Sequence, residues 1–100
     1  GIKGQAEEAI ALAKELQSLQ STWRERVLQK GSSSLLGQAI DYLFETPVLT
    51  VPWLAERLNI TYPPAKKHVE TLVRFGILEE TTRSKGPRVF FSRQILDLIA

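Results

Sequence analysis

Leu54-Ala55-Glu56-Arg57-Leu58-Asn59-Ile60-Thr61-Tyr62-Pro63-Pro64-Ala65-Lys66-Lys67-His68-Val69-Glu70-Thr71-Leu72-Val73-Arg74-Phe75-Gly76 reads as two helices joined by one sharp turn. Ala55 supplies a small side chain where two crossing helices must approach. Four residues later comes Asn59, which tolerates the left-handed backbone that such a turn needs. Ile60 is an apolar plug between the helices, and Thr61 is placed to cap the second. Tyr62-Pro63-Pro64 puts prolines in the first turn, where a missing N–H costs little. Ala65, Val69, Leu72 and Val73 form the expected core face, and Gly76 ends the helix.

The flanks extend this pattern. Upstream, Val48-Leu49-Thr50 suits a short sheet edge, Thr50 can cap the following helix, and Pro52 sits in that helix's first turn. Leu35, Leu36, Ala39, Ile40, Leu43 and Phe44 repeat at helical spacing, and this helix ends before Pro47. Gly31-Ser32-Ser33-Ser34 breaks the chain ahead of it and offers a Ser as N-cap. Residues 5–29 lack Gly and Pro and are rich in good helix formers. Ala6, Ala9, Ala13, Leu16, Gln20, Trp23 and Val27 recur along them at spacings of three and four. That stripe suits packing on the chain's own domain, or equally on a missing part of the protein or a second copy. Downstream, Ile77-Leu78-Glu79-Glu80-Thr81-Thr82 reads as a strand, Arg83-Ser84-Lys85-Gly86-Pro87 as a turn-rich tip, and Arg88-Val89-Phe90-Phe91 as the return strand. Ser92 can cap a last short helix carrying Ile95, Leu96, Leu98 and Ile99. The order predicts a mainly α chain with a small β-hairpin, an α+β winged helix-turn-helix over 31–100 behind a long amphipathic helix over 1–30.

Composition narrows the chemistry. One hundred residues suffice for one compact domain. The absence of Cys excludes disulfides, a thiol nucleophile and thiolate metal sites, and the single His excludes a multi-His metal site. No Gly-rich phosphate loop is present, and the one His leaves no nucleophile–base pair except a Ser with His68. No catalytic residue, cofactor or metal is therefore expected. No apolar run reaches the ~18–20 residues of a membrane span, and the first thirty residues do not resemble a signal peptide, so a cytoplasmic location is the simplest reading. Asn59-Ile60-Thr61 matches a glycosylation sequon but is better explained as the turn. A start at Gly1 with no Met anywhere suggests a piece of a longer protein.

Charge points to a partner. The chain carries 13 basic and 11 acidic residues, a net of +2. Between Thr61 and Arg93, however, seven basic residues face three acidic ones, a local excess of four positive charges. That segment is the second helix of the pair plus the hairpin, where the phosphates of double-stranded DNA would lie. The outward face of the helix carries Tyr62, Pro63, Lys66, Lys67, Glu70 and Thr71, with Thr61 at its start. Its N-terminal part would reach base edges in the major groove. Lys66 and Lys67 suit guanine edges or phosphates, Tyr62 a phosphate, and Glu70 either opposes phosphate or selects cytosine. Adjacent lysines are elsewhere mostly a solvated face. Arg83, Lys85 and Arg88 at the tip suit a phosphate or minor-groove contact, the alternative being a solubilising tip. His68 reads as a packing residue rather than a proton switch. Trp23 and Trp53 read as packing residues, with the Trp53 indole N–H within possible range of the phosphate backbone.

Three segments carry a family resemblance: Phe44-Glu45-Thr46-Pro47-Val48-Leu49-Thr50-Val51, Leu54 to Thr61, and Leu72-Val73-Arg74-Phe75-Gly76-Ile77-Leu78-Glu79-Glu80. Together they resemble the C-terminal winged-helix domain of bacterial Fic-family proteins. Gln5-Ala6-Glu7-Glu8-Ala9-Ile10 and the helix after it look like the segment leaving the Fic catalytic domain. The resemblance implies that an intact protein would transfer AMP from ATP to a hydroxyl of a target protein. The His-Pro-Phe-x-x-Gly-Asn-Gly-Arg signature of that activity is absent, so no catalytic residue carries over and this piece is expected to be inert. The implied role is DNA binding in transcription regulation or, alternatively, a protein-interaction module that controls the upstream Fic enzyme without binding DNA. Helix-turn-helix proteins commonly act as dimers, and residues 5–29 offer a surface for a homodimer.

Overall fold

The computed structural model describes residues 2–29, 34–81, 86 and 88–100, with side chains from Glu8 onward. Five helices and three short strands follow in the order α1 (Ile2–Gln29), α2 (Ser34–Glu45), β1 (Val48–Thr50), α3 (Val51–Leu58), α4 (Tyr62–Arg74), β2 (Glu79–Glu80), β3 (Val89–Phe91) and α5 (Arg93–Ile99). The sheet is antiparallel with strand order β1-β3-β2. The fold is thus mainly α with a small sheet: a helix-turn-helix, α3 and α4, followed by a β2–β3 wing and preceded by a long helix. No helix among the described residues is long and apolar enough to cross a membrane.

Local chemistry accounts for most boundaries. The Thr50 hydroxyl accepts the Trp53 N–H at 3.3 Å and opens α3. Asn59 closes α3 at φ 57°, ψ 47°, in the left-handed region. Its N–H donates to the Glu56 carbonyl and that of Ile60 to the Ala55 carbonyl, so the helix ends in a Schellman arrangement. Gly76, at φ 77°, repeats the device at the end of α4: Gly76 N–H donates to Val73 and Ile77 N–H to Leu72. The Ser92 hydroxyl accepts the Ile95 N–H and opens α5, while its own N–H donates to the Pro47 carbonyl. The expected Ser cap ahead of α2 and the tip of the wing, residues 82–85 and 87, lie outside the described residues.

The core is one cluster drawn from every helix and from β1 and β3. Trp23 and Val27 bring α1 into it, and the Trp23 ring meets Phe44 of α2 at 5.5 Å between centroids. Leu12, Leu16, Leu19 and Gln20 are half-buried, whereas Ala9 and Ala13 are exposed. The expected stripe therefore divides: its C-terminal half packs on the chain's own domain, and its N-terminal half projects beyond it. Gln20 and Arg24 both reach Asp41 of α2, at 2.6 and 3.0 Å, and Arg26 donates to the Phe75 carbonyl that ends α4. A cation on that carbonyl offsets the negative end of the helix dipole.

Two expectations need correction. Val73 is 38% exposed, while Ala65, Val69 and Leu72 are fully buried. On an ideal helix Val73 lies about 80° round from Ala65, at the margin of the buried stripe. The strand expected over 77–82 shrinks to Glu79–Glu80, although Thr81 N–H still bonds the Val89 carbonyl. Ile77 and Leu78 are both buried, which an alternating strand over one core does not allow. Their N–H groups instead both donate to the Leu72 carbonyl and prolong the cap of α4.

Asn59→Val should destabilise the domain by about 1–2 kcal/mol in urea unfolding, while Asn59→Gly should leave it within about 0.5 kcal/mol. Trp23→Ala should cost about 3–5 kcal/mol by removing the anchor of α1.

Candidate nucleic-acid interface

The turn at Asn59 presents α4 with one face inward and the other in solvent. Ala65, Val69 and Leu72 are buried against α3 and the core. On the opposite side Tyr62, Pro63, Pro64, Lys67 and Glu70 are exposed, and Lys66 is half-buried. Pro63, Pro64, Lys66, Lys67 and Glu70 together line a shallow depression of about 450 Å³. Lys66 and Glu70, one turn apart, approach to 4.0 Å. The Thr71 hydroxyl donates to the Lys67 carbonyl and accepts from Arg74, so its polar capacity is directed along its own helix.

The start of α4 differs from the expectation. Thr61 holds the extended N-cap backbone, but its side chain makes no capping bond. A capping hydroxyl accepts from the second or third helical N–H. Those positions are Pro63 and Pro64, which have none. Only the Thr61 carbonyl takes part, accepting from Ala65 at 3.3 Å. An anion arriving at this helix end therefore finds fewer backbone donors than helix N-termini usually offer, and its binding falls to side chains.

The wing base carries two ion pairs. Arg88 grips Glu80 through one guanidinium edge, Nε to Oε2 at 2.7 Å and Nη2 to Oε1 at 2.9 Å. Arg93 does the same to Glu79 at 2.8 and 3.3 Å. Arg88 also lies over the Phe90 ring at 5.3 Å, and Arg93 over Phe91 at 5.4 Å. The hydrogen bonds donated by Arg88 hold the Glu80 carboxyl below its ordinary range, and the same bonds raise the guanidinium. A weaker electrostatic pull from Glu70 also raises Arg88.

Arg83 and Lys85 lie outside the described residues. Of the described basic side chains between Thr61 and Arg93, Lys66, Arg88 and Arg93 have a carboxylate partner among the described residues, and Lys67 and Arg74 have none there. Pairing leaves the local excess of positive charge unchanged but confines where it is free to act. These pairs escape a reading of the sequence because they depend on register. Glu80 sits opposite Phe90 and Glu79 opposite Phe91. Arg88, two residues before Phe90, is then the diagonal neighbour of Glu80. Arg93 opens α5, so its pair with Glu79 depends on where that helix starts as well as on the register.

His68 is half-buried, and desolvation lowers its pKa, which keeps the imidazole neutral near pH 7, as a packing residue would be. Trp53 is half-buried, with Tyr42 edge-on at 6.1 Å and the Arg57 guanidinium over its ring at 5.1 Å. No group of three His, Asp or Glu side chains among the described residues is placed to hold a metal ion.

Since Glu80 is depressed, its pair with Arg88 stabilises the fold above the ordinary carboxylate pKa of about 4.3 and that contribution is lost as pH falls through the lowered value. NMR titration should therefore show Glu80 deprotonating below the usual range in the native chain and returning to it in Arg88→Gln. Compared with known proteins, the chain matches no family model and no curated sequence.

Proposed function

We propose that the chain is a DNA-binding winged-helix domain with a regulatory role, in which α4 enters the major groove and the wing follows the backbone. The observation that carries this reading is the solvent-facing side of α4. There Tyr62, Pro63, Lys67 and Glu70 are exposed and Lys66 is half-buried, on the side away from the core. Lys67 is exposed and without a carboxylate partner among the described residues, so it is the first choice for a phosphate contact. Lys66 and Glu70, already in contact, form a donor and an acceptor for a base pair's edges. The likeness of Phe44–Val51 and Leu72–Glu80 to the Fic-family C-terminal domain adds support for a regulatory module attached to an adenylyltransferase. The projecting half of α1 is the proposed surface for the upstream domain or for a second copy.

A second reading is a protein-interaction module that acts on the upstream enzyme without DNA. The ion-paired wing base favours it, because a surface of alternating sign suits a protein partner better than a uniform polyanion.

Duplex binding in a mobility assay at two salt concentrations separates the two. The DNA reading expects retention at low salt that falls steeply as salt rises. Lys67→Ala should reduce the slope of log K against log salt by about 0.9, one phosphate contact, and adding Lys66→Ala should weaken binding further with little additional change of slope. A chain that retains no duplex at low salt sinks this reading. The interaction reading then expects altered adenylylation by the longer protein when residues 35–100 are deleted.

A further inference from the structure

We propose that Glu80 is a specificity-determining residue of this face: it holds the Arg88 guanidinium in the free domain and releases it only to a phosphate seated at the base of the wing. The inference rests on the DNA-binding reading above. Three observations carry it. The grip is bidentate, with bonds of 2.7 and 2.9 Å, and a phosphate presents the same paired oxygens to the guanidinium fork as a carboxylate does. Both side chains remain accessible, 51% exposed for Arg88 and 38% for Glu80, so an incoming anion can reach the pair. The Phe90 ring holds the guanidinium from one face, leaving its donor edge as the part that changes partner.

Position makes the exchange selective. Arg88 stands at the start of β3, in the wing that follows α4, so in the proposed docking a duplex seated on α4 with its backbone along the wing brings a phosphate to it. A duplex that touches the domain loosely does not, and Arg88 stays with Glu80. An exposed pair is weak, so the effect is a factor of a few rather than a block. The neighbouring pair supplies a control matched in charge. Arg93 is held by Glu79 in the same manner, but it opens α5 rather than belonging to the wing.

The test uses the chain as it stands with a short random-sequence duplex at two salt concentrations. Glu80→Gln should tighten binding about two- to fivefold at the lower salt. It should steepen the salt slope by about 0.9, one added phosphate contact. Glu79→Gln, which removes the same charge one residue away, should change neither. The gain should vanish when Glu80→Gln is combined with Arg88→Gln. Equal gains from the two glutamates, a gain that survives without Arg88, or no gain where the native chain binds would each overturn the inference alone. If neither the native chain nor Glu80→Gln retains duplex at low salt, the DNA-binding reading falls and takes this inference with it.

Discussion

The backbone between α3 and α4 is the constraint on which the rest depends. Asn59 in the left-handed region reverses the chain within one residue, and the Ile60-to-Ala55 hydrogen bond closes the end of α3. With that turn in place, Ala55 and Ala65 are buried where the helices pack, and the core face of α4 is determined. Everything on the opposite face of α4 becomes solvent-facing as a consequence. A β-branched residue at position 59 would face a steric penalty that a few apolar contacts would have to offset.

Further contacts attach the remaining elements to this pair. Trp23 and Val27 insert α1 into the core, and Arg26 donates to the Phe75 carbonyl at the end of α4, so the long helix is tied to the close of the helix-turn-helix unit. Ser92, wholly buried, links α5 to the Pro47 carbonyl ahead of β1. These contacts leave Ala9, Ile10 and Ala13 of α1 exposed, Ile10 at 57%. A helix can extend beyond its domain in this way because its backbone hydrogen bonds are internal to it.

Electrostatics shows why net charge is a poor guide to a binding surface. A chain with a net charge of +2 concentrates its positive excess between Thr61 and Arg93, yet three of the basic side chains described there are held by carboxylates. Two guanidinium groups at the wing base are held by carboxylates and aromatic faces together. Two prolines at the start of α4 remove backbone donors that would otherwise meet an anion. The face is therefore one of discrete side-chain donors rather than a continuous positive field, which favours recognition by position over attraction at long range.

Much of the fold was legible in the residues. The helix at 54–58, the turn at Asn59, the stop at Gly76 and the caps at Thr50 and Ser92 follow from local preferences, since each depends only on neighbours within about one helical turn. The outward face of α4 followed too, because helical period alone separates Ala65, Val69 and Leu72 from Lys66, Lys67 and Glu70. The silent hydroxyl of Thr61 was legible in principle, as both of its usual donors are prolines. What only tertiary structure decided concerns residues far apart in sequence or matters of margin. It buried Ile77 and Leu78 together as an extended cap, exposed Val73 at the edge of its stripe, and divided α1 between core and solvent. It also joined Glu80 to Arg88 and Glu79 to Arg93, because a hairpin's cross-strand partners depend on its register, and register is set by the packing of β3 against β1 as well as by the strand's own residues.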